Sequence, residues 1–289
     1  MGRIMPPTIS VVYDQIRWEE KAILEAAKSR GVPVNLVDAK TAYFSLTGEQ
    51  PSPVDFGDVV LQRCVSYFRN LHITAILELK GYSVVNPYKV TSICGNKLLT
   101  SLFLSKAGIP TPETYVAFTP EGALKALDEI GYPALIKPVI GSWGRLIVPL
   151  KDRETAEAVF EERLYMFPLY QVYYIQKIVK RPPRDLRIFV IGEEAITGIY
   201  RYSFRDLKTN IARGGKAETC RLTDEIREIS LKAAEAVGGG ILGVDLMETN
   251  GGYVVHEINH TIEFHATVKT TKVNIPKYIV GYLLRKAKK

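Results

Sequence analysis

The 289-residue sequence contains few cysteines and histidines, three and four respectively, and it has no long hydrophobic run. Cys64, Cys94 and Cys220 are scattered without a CxxC pair, which favours packed thiols over a zinc site or a disulfide framework. No apolar stretch approaches the roughly 20 residues of a membrane-spanning helix, so no membrane association is predicted. The first residues, MGRIMPPTISVVYD, lack an apolar signal core, and we therefore expect a cytoplasmic protein.

The remaining composition is that of a globular protein. Hydrophobic residues make up 46% and charged residues 24% of the chain. The formal net charge of +7 suits an acidic protein, nucleotide phosphates or nucleic acid as a partner. Acidic residues are interspersed among the basic ones except at the RKAKK tail, which is typical of a solvated terminus.

Strand-like and helical segments predict an α/β fold in three units. Alternating strands and helices over residues 1–95 indicate an N-terminal parallel α/β domain. Residues 96–174 then read as a compact unit of short strands and helices, and residues 175–289 as a unit of longer strands with a C-terminal helix. The proline-containing stretch GIPTPETYVAF, between two helices, is predicted to be an irregular connection.

One predicted hairpin near the C-terminus carries polar groups where a core strand would carry apolar ones. Glu257 and Asn259 are two residues apart and share a strand face, and Asp245 lies on the preceding strand. Asp245 faces Glu257 only if the connecting loop holds an odd number of residues, and residues 250–252 predict a three-residue loop. Two carboxylates and an amide oxygen suit Mg²⁺, although a polar, solvent-facing hairpin has the same pattern.

A second pattern, ALIKPVIGSWGR, points to phosphate binding. Lys137 ends an apolar strand, and the loop Gly141, Ser142, Trp143, Gly144 and Arg145 follows it. Backbone N–H groups of such a loop can surround phosphate oxygens, with Lys137 as a point charge. Lys97 opens a helix, where anions are favoured. An ordinary hairpin with a surface lysine is the alternative.

Further candidates lie on the strands after residue 172. The strand YYIQKIV ends beside two prolines, and its end can present backbone groups to a flat base: Gln176, Lys177, Ile178 and Val179. Arg187 and Arg201 occupy strand positions where apolar residues would be ordinary. Their planar guanidinium groups suit a ligand carboxylate or a phosphoryl group, unless acids pair with them structurally. Asn210 precedes a glycine pair that permits close backbone approach.

Taken together and in this order, these motifs resemble those of an ATP-grasp ligase of the RimK branch, most closely the LysX and ArgX type. The resemblance extends over nearly the whole chain. It implies an ATP-grasp fold preceded by a pre-ATP-grasp domain. It also implies a reaction in which ATP converts a carboxylate into an acyl phosphate, which an amino group then attacks to form an amide.

The resemblance further implies roles for these residues. Lys97, Lys137 and the loop 141–145 would bind ATP phosphates, and residues 176–179 the adenine. One or two Mg²⁺ ions would be held by Asp245, Glu257 and Asn259. Arg187, Arg201 and Asn210 would hold the substrate carboxylates and the acyl phosphate.

The substrates implied are a small acidic LysW-like carrier protein ending in glutamate and an amino acid, either 2-aminoadipate or glutamate. In this family a Gly-Phe pair just after the position of Glu263–Phe264 goes with glutamate. Here that region reads His265, Ala266 and Thr267, which favours 2-aminoadipate, with Thr261 and Glu263 as further specificity candidates. A homodimer or homotetramer is expected. The alternatives are a ligase adding glutamate to another protein or a cofactor, and a non-catalytic nucleotide-binding module that binds nucleic acid.

Overall fold

The computed structural model describes residues 6–47, 54–202 and 216–287. Within these ranges helices pack around three β-sheets, and each sheet is formed by a different part of the chain. The predicted α/β class is confirmed. Among the described residues, every helix is too short or too polar to cross a membrane.

The first sheet is parallel and has the strand order β2-β1-β3-β4. Its elements are β1 (Ile9–Tyr13), α1 (Trp18–Lys28), β2 (Val34–Asp38), β3 (Val59–Gln62), α2 (Tyr67–Leu79) and β4 (Val84–Val85). The chain order reverses between β1 and β3, and in open parallel sheets ligands bind beyond the carboxyl ends of the strands at such a point. The segments that follow Tyr13 and Gln62 are therefore positioned to face a ligand.

The second sheet is antiparallel, with the order β5-β8-β6-β7. Two helices, α3 (Tyr88–Cys94) and α4 (Lys97–Lys106), precede it. Its own elements are β5 (Thr114–Ala117), α5 (Pro120–Ile130), β6 (Ala134–Lys137), β7 (Val148–Leu150), α6 (Arg153–Leu164), a 3₁₀ turn (Pro168–Gln171) and β8 (Tyr173–Lys177). Apolar side chains of α5 and α6 pack on one face of this sheet around Leu127, Ile136 and Phe160.

The third sheet is also antiparallel, with the order β11-β10-β9-β12-β13. The elements in this part of the chain are β9 (Arg184–Ile191), β10 (Glu194–Tyr202), β11 (Ala217–Thr219), α7 (Asp224–Val237), β12 (Ile241–Thr249), β13 (Gly252–Asn259), α8 (His265–Thr271) and α9 (Ile275–Ala287). Helix α9 packs against α1, and Ile279 shares a core with Ile9 of the first sheet. The first and third units are therefore packed together through apolar side chains.

The structure corrects the prediction for GIPTPETYVAF. This stretch is not wholly irregular, because Thr114–Ala117 pairs with β8 as an edge strand. The prolines that suggest a loop lie just before the strand, where no ladder hydrogen bond is lost. Strand β8 also crosses the predicted boundary at 174/175, since it pairs with β5 and β6 of the second sheet. The division into three units otherwise stays a prediction.

Candidate active site

A cavity of about 320 Å³ lies where the three units meet. It brings together most of the predicted site residues: Lys97, Lys137, Gly141, Ser142, Trp143, Gly144, Arg145, Arg187, Arg201, Asp245, Glu257, Asn259, Thr261 and Glu263. Two predicted groups are not among its lining residues, namely 176–179 and 265–267. Asn210 lies outside the described residues.

The β12–β13 hairpin places Asp245 opposite Glu257, as predicted, and it pairs Gly243 with Asn259. The predicted three-residue loop, however, is wrong: Thr249 pairs with Gly252, which leaves a two-residue turn. The register is shifted instead by a bulge at His256, because Leu246 pairs with Val255 and Asp245 with Glu257. A bulge adds one residue to one strand and redirects a side chain, and His256 lines the cavity beside Glu257.

Asp245 is 1% exposed and sits between two arginines. Arg187 donates from Nε and Nη2 to the two carboxylate oxygens, both at 2.7 Å. Arg201 donates from Nη2 to Oδ2 at 2.9 Å and from Nε to Asp185 at 2.6 Å. Burial alone would raise the pKa of Asp245, but Arg187 and Arg201 hold it well below its usual value. Both arginines therefore have acidic partners, and a role in holding substrate carboxylates stays a prediction.

The donor set on this sheet fits a magnesium ion. Within the described part of the chain, Asp245 Oδ1 accepts one hydrogen bond, from Arg187, and a carboxylate oxygen has a second lone pair. Asn259 Nδ2 lies 3.4 Å from Asp245 Oδ2, and the Asn259 Oδ1 is therefore left for another ligand. Glu257 lies 3.6 Å from Lys97 Nζ; burial raises the Glu257 pKa, but Lys97, with smaller contributions from His256 and Arg187, brings it below its usual value. Two ionised carboxylates and one amide oxygen are ligands that Mg²⁺ prefers.

The two lysines predicted to bind phosphates both line the cavity. Lys97 begins α4, whose first turn is capped by the Asn96 side chain, and its Nζ donates to Gly141 O at 2.7 Å. Lys137 ends β6 and is 6% exposed, with Nζ donating to Gln176 Oε1 at 2.5 Å. Burial lowers the pKa of Lys137 to about 8. Gln176 is thus a partner of a cavity lysine rather than a lining residue.

The loop between β6 and β7 has the backbone that the glycines suggest. Gly141 and Gly144 have φ of 149° and 65°, and Trp143 has φ of 57°. Trp143, Arg145 and Leu146 are exposed, and the Arg145 guanidinium lies 4.9 Å from the centre of the Trp143 ring. Conformations with positive φ turn successive N–H groups toward one side, which suits an anion.

The cavity also contains residues that the motifs did not indicate. Arg17 and Tyr67 follow β1 and β3, at the carboxyl edge of the first sheet, and His260 follows β13. The strand-order rule could have identified the first two. The position of His256 in the site was not predicted, because a bulge has no clear sequence signature. Burial and the charge of Lys137 lower the pKa of His256 to about 4. Asp185, two residues before Arg187, also lines the cavity.

The predicted specificity residues divide into two groups. Thr261 and Glu263 line the cavity beside Arg17, whose Nη1 lies 3.4 Å from Glu263 Oε1. His265, Ala266 and Thr267 start α8, and the His265 ring stacks on Trp18 at 4.4 Å. Their influence on substrate choice stays a prediction.

Comparison with known proteins agrees with this geometry. The RimK-like ATP-grasp domain matches residues 94–283, and the LysX preATP-grasp domain matches residues 9–93. The chain belongs to the RimK-like ATP-grasp family. The resemblance in the sequence and the predicted ATP-grasp fold are confirmed, and the enzyme class is that of ATP-dependent ligases.

Two curated relatives cover almost the whole chain. The alpha-aminoadipate–LysW ligase LysX of Sulfurisphaera tokodaii is 38% identical over 274 residues, 94% of this chain and 96% of the relative. The glutamate–LysW ligase ArgX of the same organism is 31% identical over 283 residues, 95% of this chain and 97% of the relative.

Solved structures show the same fold at lower identity. A RimK domain ATP-grasp protein from Sphaerobacter thermophilus has a TM-score of 0.79 and 23% identity, with 96% of this chain and 99% of that chain covered. The ATP-grasp ligase PsnB, complexed with a minimal precursor, Mg and ADP, has a TM-score of 0.71 and 21% identity, with 96% and 97% covered.

Proposed function

We propose that this chain is an ATP-dependent ligase that joins the amino group of 2-aminoadipate to the C-terminal glutamate side chain of a LysW-like carrier protein. The observation that carries the proposal is the convergence of Asp245, Glu257 and Asn259 with Lys97 and Lys137 around one cavity. The relatives named above support the substrates, and the LysX relative is more similar to this chain than the ArgX relative.

The proposed ligation has two steps. The carrier carboxylate attacks the γ-phosphorus of ATP, and the bond to ADP breaks. The uncharged amine then attacks the acyl carbon and an isopeptide bond forms, while inorganic phosphate leaves with the electrons of the broken C–O bond and takes up the proton that the amine loses. Neither step needs a covalent nucleophile from the protein, which supplies alignment and charge.

The residues have matching roles in this scheme. Lys97, Lys137 and the loop 141–145 hold the phosphates of ATP, because they present cations and N–H groups to one side of the cavity. Asp245, Glu257 and Asn259 hold one or two Mg²⁺ ions, which neutralise phosphate charge when bound. The strand end at 176–179 takes the adenine, since Gln176 at its start contacts the proposed phosphate-binding Lys137.

The remaining parts of the proposal concern the partners. The net charge of +7 favours an acidic carrier, and no contact with nucleic acid is needed. We propose a cytoplasmic location, because ATP is supplied there. A homodimer or homotetramer stays a prediction. Glutamate in place of 2-aminoadipate is the second candidate, because the ArgX relative also covers 95% of the chain.

The test measures ADP release and carrier mass together. The purified chain is incubated with ATP, Mg²⁺ and a LysW-like carrier, with 2-aminoadipate or glutamate as the amine. We expect the carrier to gain the mass of the amino acid less one water, and a carrier lacking its terminal glutamate to gain none. ADP release that is indifferent to the carrier would refute the proposed acceptor, and a higher kcat/KM for glutamate would refute the choice of 2-aminoadipate.

A further inference from the structure

The segment 260–265, which follows the last strand of the candidate site, is bound by side chains of the N-terminal unit at consecutive residues. Asn86 Nδ2 donates to His260 O at 2.8 Å, and Asn70 Nδ2 donates to Thr261 Oγ1 at 3.1 Å. Arg63 Nη1 donates to Ile262 O at 2.9 Å, and Arg17 Nη1 donates to Glu263 Oε1 at 3.4 Å. Glu19 Oε1 accepts from the N–H groups of Phe264 and His265 at 3.1 and 3.0 Å. The conformation of this segment is therefore set from outside its own sheet.

Arg63 is the most deeply buried cation among these contacts. Its side chain is 3% exposed, its Nε donates to Glu20 Oε1 at 2.9 Å, and Glu20 is fully buried. The guanidinium also lies 6.0 Å from the centre of the Phe264 ring. A buried ion pair stabilises a fold no better than apolar packing of the same volume. Its direct effect here is to fix one backbone carbonyl, that of Ile262.

Ile262 stands between two side chains that line the cavity. Thr261 and Glu263 are its neighbours in the chain, and Ile262 itself is 1% exposed in the core. Holding the Ile262 carbonyl fixes the peptide plane between Ile262 and Glu263. The directions in which Thr261 and Glu263 present their oxygens therefore depend on Arg63, although Arg63 does not line the cavity.

We propose that Arg63 is a positioning residue for the amino-acid substrate, acting through the backbone of Ile262. The inference rests on the proposed function, in which the amino acid binds where Arg17 and Glu263 line the cavity. Arg17 donates from Nε and Nη2 to Glu20, so its Nη1, 3.4 Å from Glu263, is the group that can take the substrate carboxylate, while the half-exposed Glu263 can take the ammonium group.

The test is the substitution Arg63→Lys, which keeps the charge beside Glu20 but cannot supply the same fork of donors. We expect KM for the amino acid to rise about tenfold or more, the factor for losing a hydrogen bond from a charged donor. KM for ATP should stay unchanged. Deuterium exchange of the amides at 261–265 should be faster than in the wild type, without any ligand present.

Arg163→Lys is the matched control. Arg163 is also 3% exposed and donates to a backbone carbonyl beside the cavity, but to Leu146 at 3.2 Å in the phosphate loop. This variant should leave KM for the amino acid unchanged and alter only the dependence on ATP. Equal effects of the two variants on the amino acid would refute the proposal, because they would report a general loss of stability.

A second variant covers the case in which Arg63→Lys does not fold. Asn70→Ala removes the donor to Thr261 and should raise KM for the amino acid in the same selective way. An unchanged KM in Arg63→Lys overturns the proposal; if only Asn70→Ala folds, an unchanged KM in that variant overturns its premise, that contacts from the N-terminal part of the chain position the segment 260–265 for the amino acid. If the proposed function were wrong, the wild type itself would show no carrier-dependent turnover, and this result distinguishes the two failures.

Discussion

Asp245 faces Glu257 across the β12–β13 ladder because His256 is bulged out of it. Without the bulge, the two-residue turn would place Asp245 opposite His256 and turn Glu257 to the other face of the sheet. The bulge thus gathers both carboxylates and an imidazole on the cavity side. The proposed metal site depends on this relationship, which leads to separate expectations for the two acids.

Glu257 is the acid whose loss should affect chemistry most selectively. Its side chain is 30% exposed and has one ion-pair contact, with Lys97 at 3.6 Å. We expect Glu257→Gln to lower kcat by about 100-fold or more, as for loss of a group that stabilises transition-state charge, with little change in melting temperature. Glu228→Gln, on the outer surface of α7, is the control and should behave as the wild type. A Glu257 variant with normal kcat would contradict the metal assignment.

Asp245 should behave differently, because it neutralises two arginines inside the protein. Asp245→Asn leaves Arg187 and Arg201 without this charge, and removing one partner of a buried pair costs about 3–5 kcal/mol. We expect a clear loss in the free energy of unfolding in addition to lost turnover. Asp128→Asn is the control, since its ion pair with Arg153 is exposed and worth about 1 kcal/mol at most. Denaturant titration measures the free energy of unfolding of both variants, and equal values would contradict the proposed role of Asp245 in neutralising the two arginines.

The sequence predicted the local features of the site better than the contacts between units. Periodicity located Asp245, Glu257 and Asn259 on paired strands, and the glycines located the phosphate loop, because these depend on neighbouring residues. The bulge at His256 and the pairing of Arg187 and Arg201 with Asp245 could not be predicted, since they depend on register and on side chains distant in the chain. Arg17 and Tyr67 required knowing where the strand order reverses.

Lys137 should make ATP binding depend on pH near neutrality. Its pKa in the folded protein is about 8, below the ordinary 10.5, so it is protonated at pH 7 and loses its proton as the pH rises through 8. Only the charged form attracts phosphates. We expect the dissociation constant for ATP to increase from pH 7 to 9, and ATP binding above pH 8 to take up a proton.

Calorimetry in buffers of different ionisation enthalpy detects this proton. Lys137→Met should bind ATP more weakly at every pH and without proton uptake, whereas Lys151→Met, at an exposed position, should retain the wild-type profile. A wild-type profile that is flat from pH 7 to 9 would contradict the low pKa.

The phosphate loop should be open to proteases until nucleotide binds. Arg145 is exposed within it, between Gly144 and Leu146, both of which have positive φ. We expect trypsin to cut after Arg145 and ATP with Mg²⁺ to suppress the cut, since phosphates would hold the loop N–H groups. Arg145→Gln should remove this fragment and so identify the site. Equal cleavage with and without ATP would show that the loop does not contact nucleotide.

Two adjacent glycines allow a test of how the N-terminal unit is joined to the site strands. Gly239 and Gly240 both have positive φ, 73° and 118°, so alanine is strained at either position. A Cβ at Gly239 would meet nothing within 4 Å, whereas one at Gly240 would lie 2.2 Å from Asn86 Oδ1. That oxygen accepts from Ile241 N–H at 2.7 Å, at the start of the strand that carries Asp245.

We expect Gly239→Ala to cost about 1–2 kcal/mol of unfolding free energy from backbone strain alone. Gly240→Ala should cost at least about 1–3 kcal/mol more, because displacing Asn86 leaves buried polar groups unpaired. It should also lower kcat, since β12 is no longer held in place, whereas Gly239→Ala should keep it. Thermal unfolding and steady-state kinetics of the two variants test this expectation. Equal losses of unfolding free energy and of kcat in both variants would show that Asn86 does not fix the strand.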